Sequence, residues 1–156
     1  MAAIGEVDEA NSAIGVAIAA LESGKLTNQL RAIQNELFDL GADLATPEGV
    51  EGALRIVERQ VTRLEEEIDA MNASLAPLTS FILPGGSVAV SLIHLARTVV
   101  RRAERAAVAL KEGEPVNAHA LAYLNRLSDH LFVAARHLAA TEGGDVLWQP
   151  GATRDS

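Results

Sequence analysis

The chain reads as an all-α protein, a five-helix antiparallel bundle that is ferritin-like in general architecture. Three observations lead there. Aliphatic side chains and alanine dominate while aromatic residues make up only 3%, a composition that suits close helix approach better than strands, which favour β-branched and aromatic side chains. Apolar residues recur at helical spacing along most of the chain. Breaking or capping residues interrupt that pattern between the segments, and 156 residues suit one domain (1–156) with one sizeable core.

The elements follow in order. Ile4, Val7, Ile14, Ile18 and Leu21 place one apolar face on a first helix from Ile4 to Leu21, stopped by Ser23-Gly24. Asp8, Asn11, Ser12 and Gly15 group on another face of it. Thr27 or Asn28 is the expected cap of a second helix to about Leu44, with Leu30, Ile33, Leu37, Leu40 and Leu44 inward. Thr46-Pro47-Glu48-Gly49 is a loop. A third helix is expected from about Val50 to Met71, burying Leu54, Val57, Val61, Leu64 and Ile68. Its mixed-sign face (Glu51, Arg55, Glu58, Arg59, Glu65, Glu66) reads as solvated. A connection over Asn72 to Ser80 leads to the tight loop Phe81-Ile82-Leu83-Pro84-Gly85-Gly86. Ser87 caps a fourth helix to about Lys111, and Gly113-Glu114-Pro115 breaks it. Asn117 caps a fifth to about Glu142. The tail from Asp145 to Ser156 reads as irregular, with Trp148 as its one large anchor.

Composition removes whole classes of function. With no cysteine there is neither a disulfide nor a thiolate metal site, and a reducing compartment is allowed. A net charge of −8 argues against general nucleic-acid binding. No run approaches the ~20 apolar residues of a membrane span, and no signal-like leader opens the chain, so a soluble cytoplasmic protein without membrane partners is expected. No phosphate-loop lysine motif, dinucleotide glycine motif, Glu-x-x-His pair or His-Glu-x-x-His is present. The four histidines lack ligand spacing, so no protein metal site is expected.

What remains is polar chemistry on two consecutive helices. At ~100° per residue, Arg97, Arg101 and Arg105 share one stripe of the fourth helix, with His94 on it and Glu104 at its edge. Leu92, Leu95, Val99, Ala103, Ala106 and Leu110 are expected opposite. Guanidinium forks offer paired planar donors to phosphate or carboxylate, so this stripe, with Arg102 beside it, is a candidate clamp for a small polyanion. The plainer alternative is a set of interhelical salt bridges. On the fifth helix Asn125, Ser128, Asp129, Phe132 and Arg136 share a face. Asn125 suits a nucleotide, while Asp129 either orients an arginine or simply pairs with Arg126 or Arg136. Asp8, Asn11 and Ser12 form a third group, whose plain reading is a carboxylate near a helix N-terminus. Phe81, beside its Pro-Gly-Gly turn, is either a ligand platform or a core plug.

Phe81 to Gly86, Arg97 with Arg101-Arg102-Ala103-Glu104-Arg105, and Asn125-Arg126-Leu127-Ser128-Asp129 with Leu131-Phe132 and Ala135-Arg136, in that order, resemble the PduO-type ATP:cob(I)alamin adenosyltransferases. Gly5 with Val7-Asp8-Glu9-Ala10-Asn11-Ser12-Ala13-Ile14-Gly15 and Leu147-Trp148-Gln149-Pro150-Gly151 are similar to that family too, so the likeness runs from about Gly5 to Gly151. The resemblance implies transfer of the 5′-deoxyadenosyl group of ATP to cob(I)alamin, giving adenosylcobalamin and triphosphate, with Mg²⁺ present. It implies a homotrimer with sites between subunits. It puts Arg101, Arg102, Glu104, Arg105 and Asn125 at the nucleotide, pairs Asp8 of one subunit with Arg97 of the next, and sets Phe81 under the corrinoid, where it helps expel the lower base. A reductase and an adenosylcobalamin-dependent enzyme are the implied protein partners. The family opens with a glycine- and threonine-rich phosphate loop followed by a lysine. This sequence starts beyond that point, at Met1-Ala2-Ala3-Ile4-Gly5, so those contacts are not carried over. Two rivals stand beside the enzyme: a catalytically silent helical module that binds cobalamin or a protein partner, and a structural bundle whose arginines only join subunits.

Overall fold

The computed structural model describes residues 2–154. Five α-helices run through them: α1 (Ala2–Ala19), α2 (Lys25–Ala45), α3 (Glu58–Asn72), α4 (Val88–Gly113) and α5 (Ala118–Ala140). α4 lies between α1 and α5 and packs along both, while α2 packs on α1 and α3 on α5. One core runs through all five.

The core sector of α4 is Val90, Ile93, Ala96, Val100, Ala103 and Ala107. This is rotated from the expected face: Leu95 is 57% exposed, and Leu92, Val99, Ala106 and Leu110 only flank the core. The cause is that α4 is gripped from two sides. Interaxial distance depends on the side chains at the contact, and alanines let α1 and α5 come close where leucines would hold them apart. Opposite them, Ala10 and Ala17 of α1 and Ala120, Ala134 and Ala135 of α5 are also fully buried. α1 and α2 approach closely as well. A Cβ on Gly15 would lie 3.0 Å from Gln34 Nε2, and Asn11 and Gln34 each donate a side-chain amide to the other's backbone carbonyl, at 3.1 and 3.2 Å.

α2 buries Leu30, Ile33, Leu37, Leu40 and Leu44 as its spacing predicts. It begins earlier than expected: Gly24 occupies the cap position, and Thr27 lies inside the helix with its hydroxyl donating to the Glu22 carbonyl at 2.7 Å. Ser87 and Asn117 do cap α4 and α5, accepting from the Val90 and His119 N–H groups.

The third helix starts at Glu58 instead of near Val50. Gly49 (φ 85°) and Gly52 (φ 73°) occupy the left-handed region, which interrupts an α-helix. The segment instead wraps around the buried Asp43. One Asp43 oxygen pairs with Arg55 at 2.9 Å; the other accepts from the Ile56 N–H and from Asn117 Nδ2, each at 2.8 Å. Arg55 also donates to the carbonyls of Asp43, Thr46 and Pro47, so it satisfies the end of α2 and is no part of a solvated face. Leu54 and Val57, expected inward, are about half exposed, and Ile56 fills the core in their place. The Val57 N–H is accepted by Gln60 Oε1 at 2.9 Å, which starts the true α3. Arg59 and Glu66 do pair on the exposed face, at 2.9 Å.

A second charged group joins α2, α3 and α5. Arg63 forks onto both Glu36 oxygens at 2.8 and 2.5 Å and reaches Glu67 at 3.2 Å. The buried Tyr123 hydroxyl donates to Glu36 at 2.8 Å, and burial with the nearby carboxylate pushes its ionisation far up. His130 Nε2 lies 2.9 Å from Glu67, with the ring fully buried.

Asp43→Ala leaves Arg55, Asn117 and the Ile56 N–H without their acceptor. Because one partner of a buried pair is removed, a loss of roughly 3–5 kcal/mol is expected, measured as a drop in denaturant midpoint relative to wild type.

Candidate active site

Two features of the sequence place the site on α4 and α5. The alanine-rich sector of α4 faces the core, so the arginine stripe must face outward. The Pro84-Gly85-Gly86 turn then brings Phe81 back over the start of that stripe. Gly86, at φ 136°, sits just before the Ser87 cap, where an added Cβ would lie 3.3 Å from Val90 Cγ1.

A cavity of about 450 Å³ opens between this loop and the two helices, lined by Leu78, Ser80, Phe81, Ile82, His94, Arg97 and Phe132. The Arg97 guanidinium carbon stands 6.0 Å from the Phe132 ring centroid, within the range of a cation–π contact. Arg97 Nε is buried and has no hydrogen-bond partner among the described residues. Burial first, and Arg101 second, lower the Arg97 pKa from its ordinary value. His94 is 2% exposed, its Nδ1 equally without a partner, and its ring meets Phe132 edge-on at 6.5 Å. Burial, followed by Arg97, lowers its pKa, against a smaller opposing effect of Asp145. The imidazole is therefore kept neutral.

Phe81 is 76% exposed, which excludes the core-plug reading. It is held from behind by the tail, which is not irregular where it passes. Leu83 N–H donates to Val146 O and Trp148 N–H to Phe81 O, each at 2.8 Å, around an Ile82–Leu147 antiparallel bridge. Ser80 Oγ donates to Trp148 O at 2.8 Å, and the Phe81 and Trp148 rings meet at 5.8 Å, tilted by 57°. Arg136 anchors the segments that lead into this pairing, through Asp145 at 3.0 Å and the Ala76 carbonyl at 2.9 Å.

One turn beyond Arg97, Arg101 and then Arg105 are exposed and have no ion-pair partner among the described residues. Arg102 turns the other way and pairs with Glu6, at 2.7 Å, and with Glu9 of α1. The salt-bridge alternative thus holds for Arg102 and not for its neighbours. Asn125 Nδ2 donates to Glu104 Oε2 at 2.9 Å, joining the two helices, while Arg126 donates to Asn125 Oδ1 and pairs with Asp129 at 2.9 Å. Of the two roles open for Asp129, the pairing with Arg126 is the one present. Arg101, Glu104, Arg105 and Asn125 consequently share one outward surface, next to the Arg97 cavity.

Asp8 is elsewhere. It is exposed on the face of α1 and α2 and lines a separate cavity of about 500 Å³ with Asn11, Ser12, Arg31, Gln34 and Phe38. That cavity shares no lining residue with the Arg97 cavity, and Asp8 has no ion pair within the described chain. No group of three or more histidine, aspartate or glutamate side chains converges on a metal position among the described residues. Among the described residues no helix is long and apolar enough to cross a membrane. Missed from the sequence were the burial of His94 and the strap formed by the tail. Pairing between residues about 65 apart leaves no local pattern to find.

The fold and site define a helical bundle with a surface of exposed arginines beside an aromatic cavity. The model of the cobalamin adenosyltransferase family matches residues 1–138, and the chain belongs to that family. It is 49% identical to the corrinoid adenosyltransferase of Mycobacterium tuberculosis, over 99% of this chain and 82% of that protein. It is 48% identical to that of Bacillus subtilis, over 95% of this chain and 79% of that one. Among solved structures, a variant of the PduO-type ATP:corrinoid adenosyltransferase from Lactobacillus reuteri, complexed with cobalamin and ATP, superimposes with a TM-score of 0.89 at 42% identity, covering 95% of this chain and 84% of that one.

Phe81→Ala is expected to leave stability nearly intact. Truncating a core aromatic typically removes about 3–5 kcal/mol, whereas Phe81 stands to lose only its ring contact with Trp148, roughly 0.5–1.5 kcal/mol. Thermal unfolding of the variant against wild type measures the difference.

Proposed function

We propose that this chain is an ATP:cob(I)alamin adenosyltransferase, a transferase that moves the 5′-deoxyadenosyl group of ATP to cob(I)alamin and releases triphosphate. The observation that carries this reading is the adjacency of two unlike surfaces on α4 and α5: unpaired arginines beside an Asn–Glu pair, and one turn away an aromatic cavity containing Arg97. A polyphosphate needs the first and a flat, largely apolar ring needs the second. The membership of the family supports it.

In the reaction, the electron pair of cob(I)alamin forms a bond to the 5′ carbon of ATP. The carbon–oxygen bond to the phosphate chain breaks, and triphosphate leaves with that bond's electrons. The leaving group gains charge as the bond breaks, so donors aimed at it act mainly in the transition state. Arg101 and Arg105 are free to supply them. Arg102 joins them by exchanging Glu6 and Glu9 for phosphate. Asn125 and Glu104 hold the nucleoside side, and Mg²⁺ enters with ATP, since hard cations of this kind are commonly carried by substrate phosphates. Phe81 covers the lower face of the corrinoid, keeping out water and the lower base and so easing its reduction. Asp8, which has no ion pair among the described residues, pairs with Arg97 of a neighbouring subunit, which gives a homotrimer with sites between subunits. The protein works in the cytoplasm as one domain, supplied by a reductase and handing its product to an adenosylcobalamin-dependent enzyme.

The direct test is formation of adenosylcobalamin from Mg-ATP and chemically reduced cobalamin by the purified chain; absence of product sinks the reading. Arg101→Ala should lower kcat/KM by about a hundredfold or more, the usual effect of losing one donor to developing charge, with an unchanged melting temperature. In sedimentation equilibrium the protein should weigh three times its 16.4 kDa chain mass, and Asp8→Ala should shift it toward monomer.

A further inference from the structure

If the cavity beside Arg97 seats the corrinoid, one buried group in its wall has no task in the reaction as described. His94 is almost fully enclosed, lines the cavity with Phe81, Arg97 and Phe132, and has no hydrogen bond among the described residues. Buried polar atoms are ordinarily bonded, and the His94 Nδ1 is buried without a partner among the described residues. Arg97 Nε is similarly orphaned one turn along, so the two unsatisfied groups border the same space. They call for different partners. Arg97 is a fixed cation and calls for an anion. His94 is held neutral by burial and by Arg97, and a neutral imidazole presents one N–H and one lone pair. In the rest of the wall Leu78, Ile82 and the two phenylalanines are apolar, and the Ser80 hydroxyl already donates to the Trp148 carbonyl. A ligand group able to meet His94 in either tautomer must be uncharged and offer both a donor and an acceptor. A primary carboxamide has that chemistry, and the periphery of the corrin ring carries several.

We propose that His94 binds the corrinoid by hydrogen-bonding one of its peripheral carboxamides, and that it thereby selects carboxamide over carboxylate at that position. A carboxylate offers no donor, and a neutral imidazole has only one N–H to give it. The proposal rests on the corrinoid reading of the cavity. It adds a residue to that reading and a reason for discrimination among corrinoids that differ in a single side chain.

The test is a spectroscopic titration of cob(II)alamin into the ATP-bound protein, for wild type, His94→Leu and His94→Gln. It is repeated with the separated cobalamin monocarboxylates, each with one ring carboxamide hydrolysed. His94→Leu should weaken cobalamin binding roughly tenfold, the scale of one hydrogen bond left unmade, with ATP affinity unchanged. His94→Gln, which keeps a donor and an acceptor, should recover most of the loss. One monocarboxylate should bind wild type about tenfold more weakly than cobalamin does, yet bind His94→Leu as tightly as cobalamin does. Wild-type affinity in His94→Leu overturns the proposal, as does a monocarboxylate series whose losses are the same on both proteins. Should His94→Leu fail to fold, the glutamine variant and the wild-type series still decide: weak binding by the glutamine variant together with equal binding of every monocarboxylate counts against it. Failure of wild type to bind any corrinoid would instead remove the parent reading.

Discussion

The close approach of α4 to α1 and α5 governs the rest of the molecule. Ala96, Ala103 and Ala107 are fully buried along α4, facing a helix on either side. With alanine at the contact the apolar sector of α4 is narrow, and the remainder of its circumference is left for charge. The arginines can then follow one another at single-turn spacing without any of them entering the core. A leucine at Ala103 would push the neighbours apart and, through the α4–α5 contact, separate Glu104 from Asn125.

On that outward surface the side chains divide by what they lack. Arg102 finds two glutamates on α1, and Arg126 finds Asp129 on its own helix. Arg97, Arg101 and Arg105 find no carboxylate among the described residues, although the protein as a whole is acidic. The Nε of Arg97 and the Nδ1 of His94 are also unpartnered among the described residues, the first on a cation and the second on a neutral ring. Phe81 completes the arrangement because it is held out of the core. Its backbone is paired with the tail and its ring leans on Trp148, so an exposed aromatic keeps a defined position above the cavity.

Stability is arranged apart from this surface. Asp43 gathers Arg55, Ile56 and Asn117 at one end of the bundle, and Glu36 with Glu67 gathers Arg63, Tyr123 and His130 between α2, α3 and α5. Buried pairs of this kind are poor sources of net stability but strong penalties when half broken, which favours one register of α3 over its alternatives. The carboxylates of these two clusters lie on α2 and α3, whereas Arg97, Arg101 and Arg105 lie on α4.

The sequence alone determined the class of fold, the caps at Ser87 and Asn117, the inward face of α2 and the order of motifs that marks the family. Each of these is written in residues at most a few turns apart, where helical period and capping chemistry act. It could not determine where α3 begins, because Val50 to Val57 has helical spacing and only the captured Asp43 carboxylate and two left-handed glycines overrule it. Nor could it say that Leu95 faces solvent, that the tail straps Phe81, or which arginines stay unpaired. Those outcomes depend on the approach of helices distant in sequence: an arginine pairs or remains free according to which carboxylate a neighbouring helix brings within reach, and that is settled only when the chain packs.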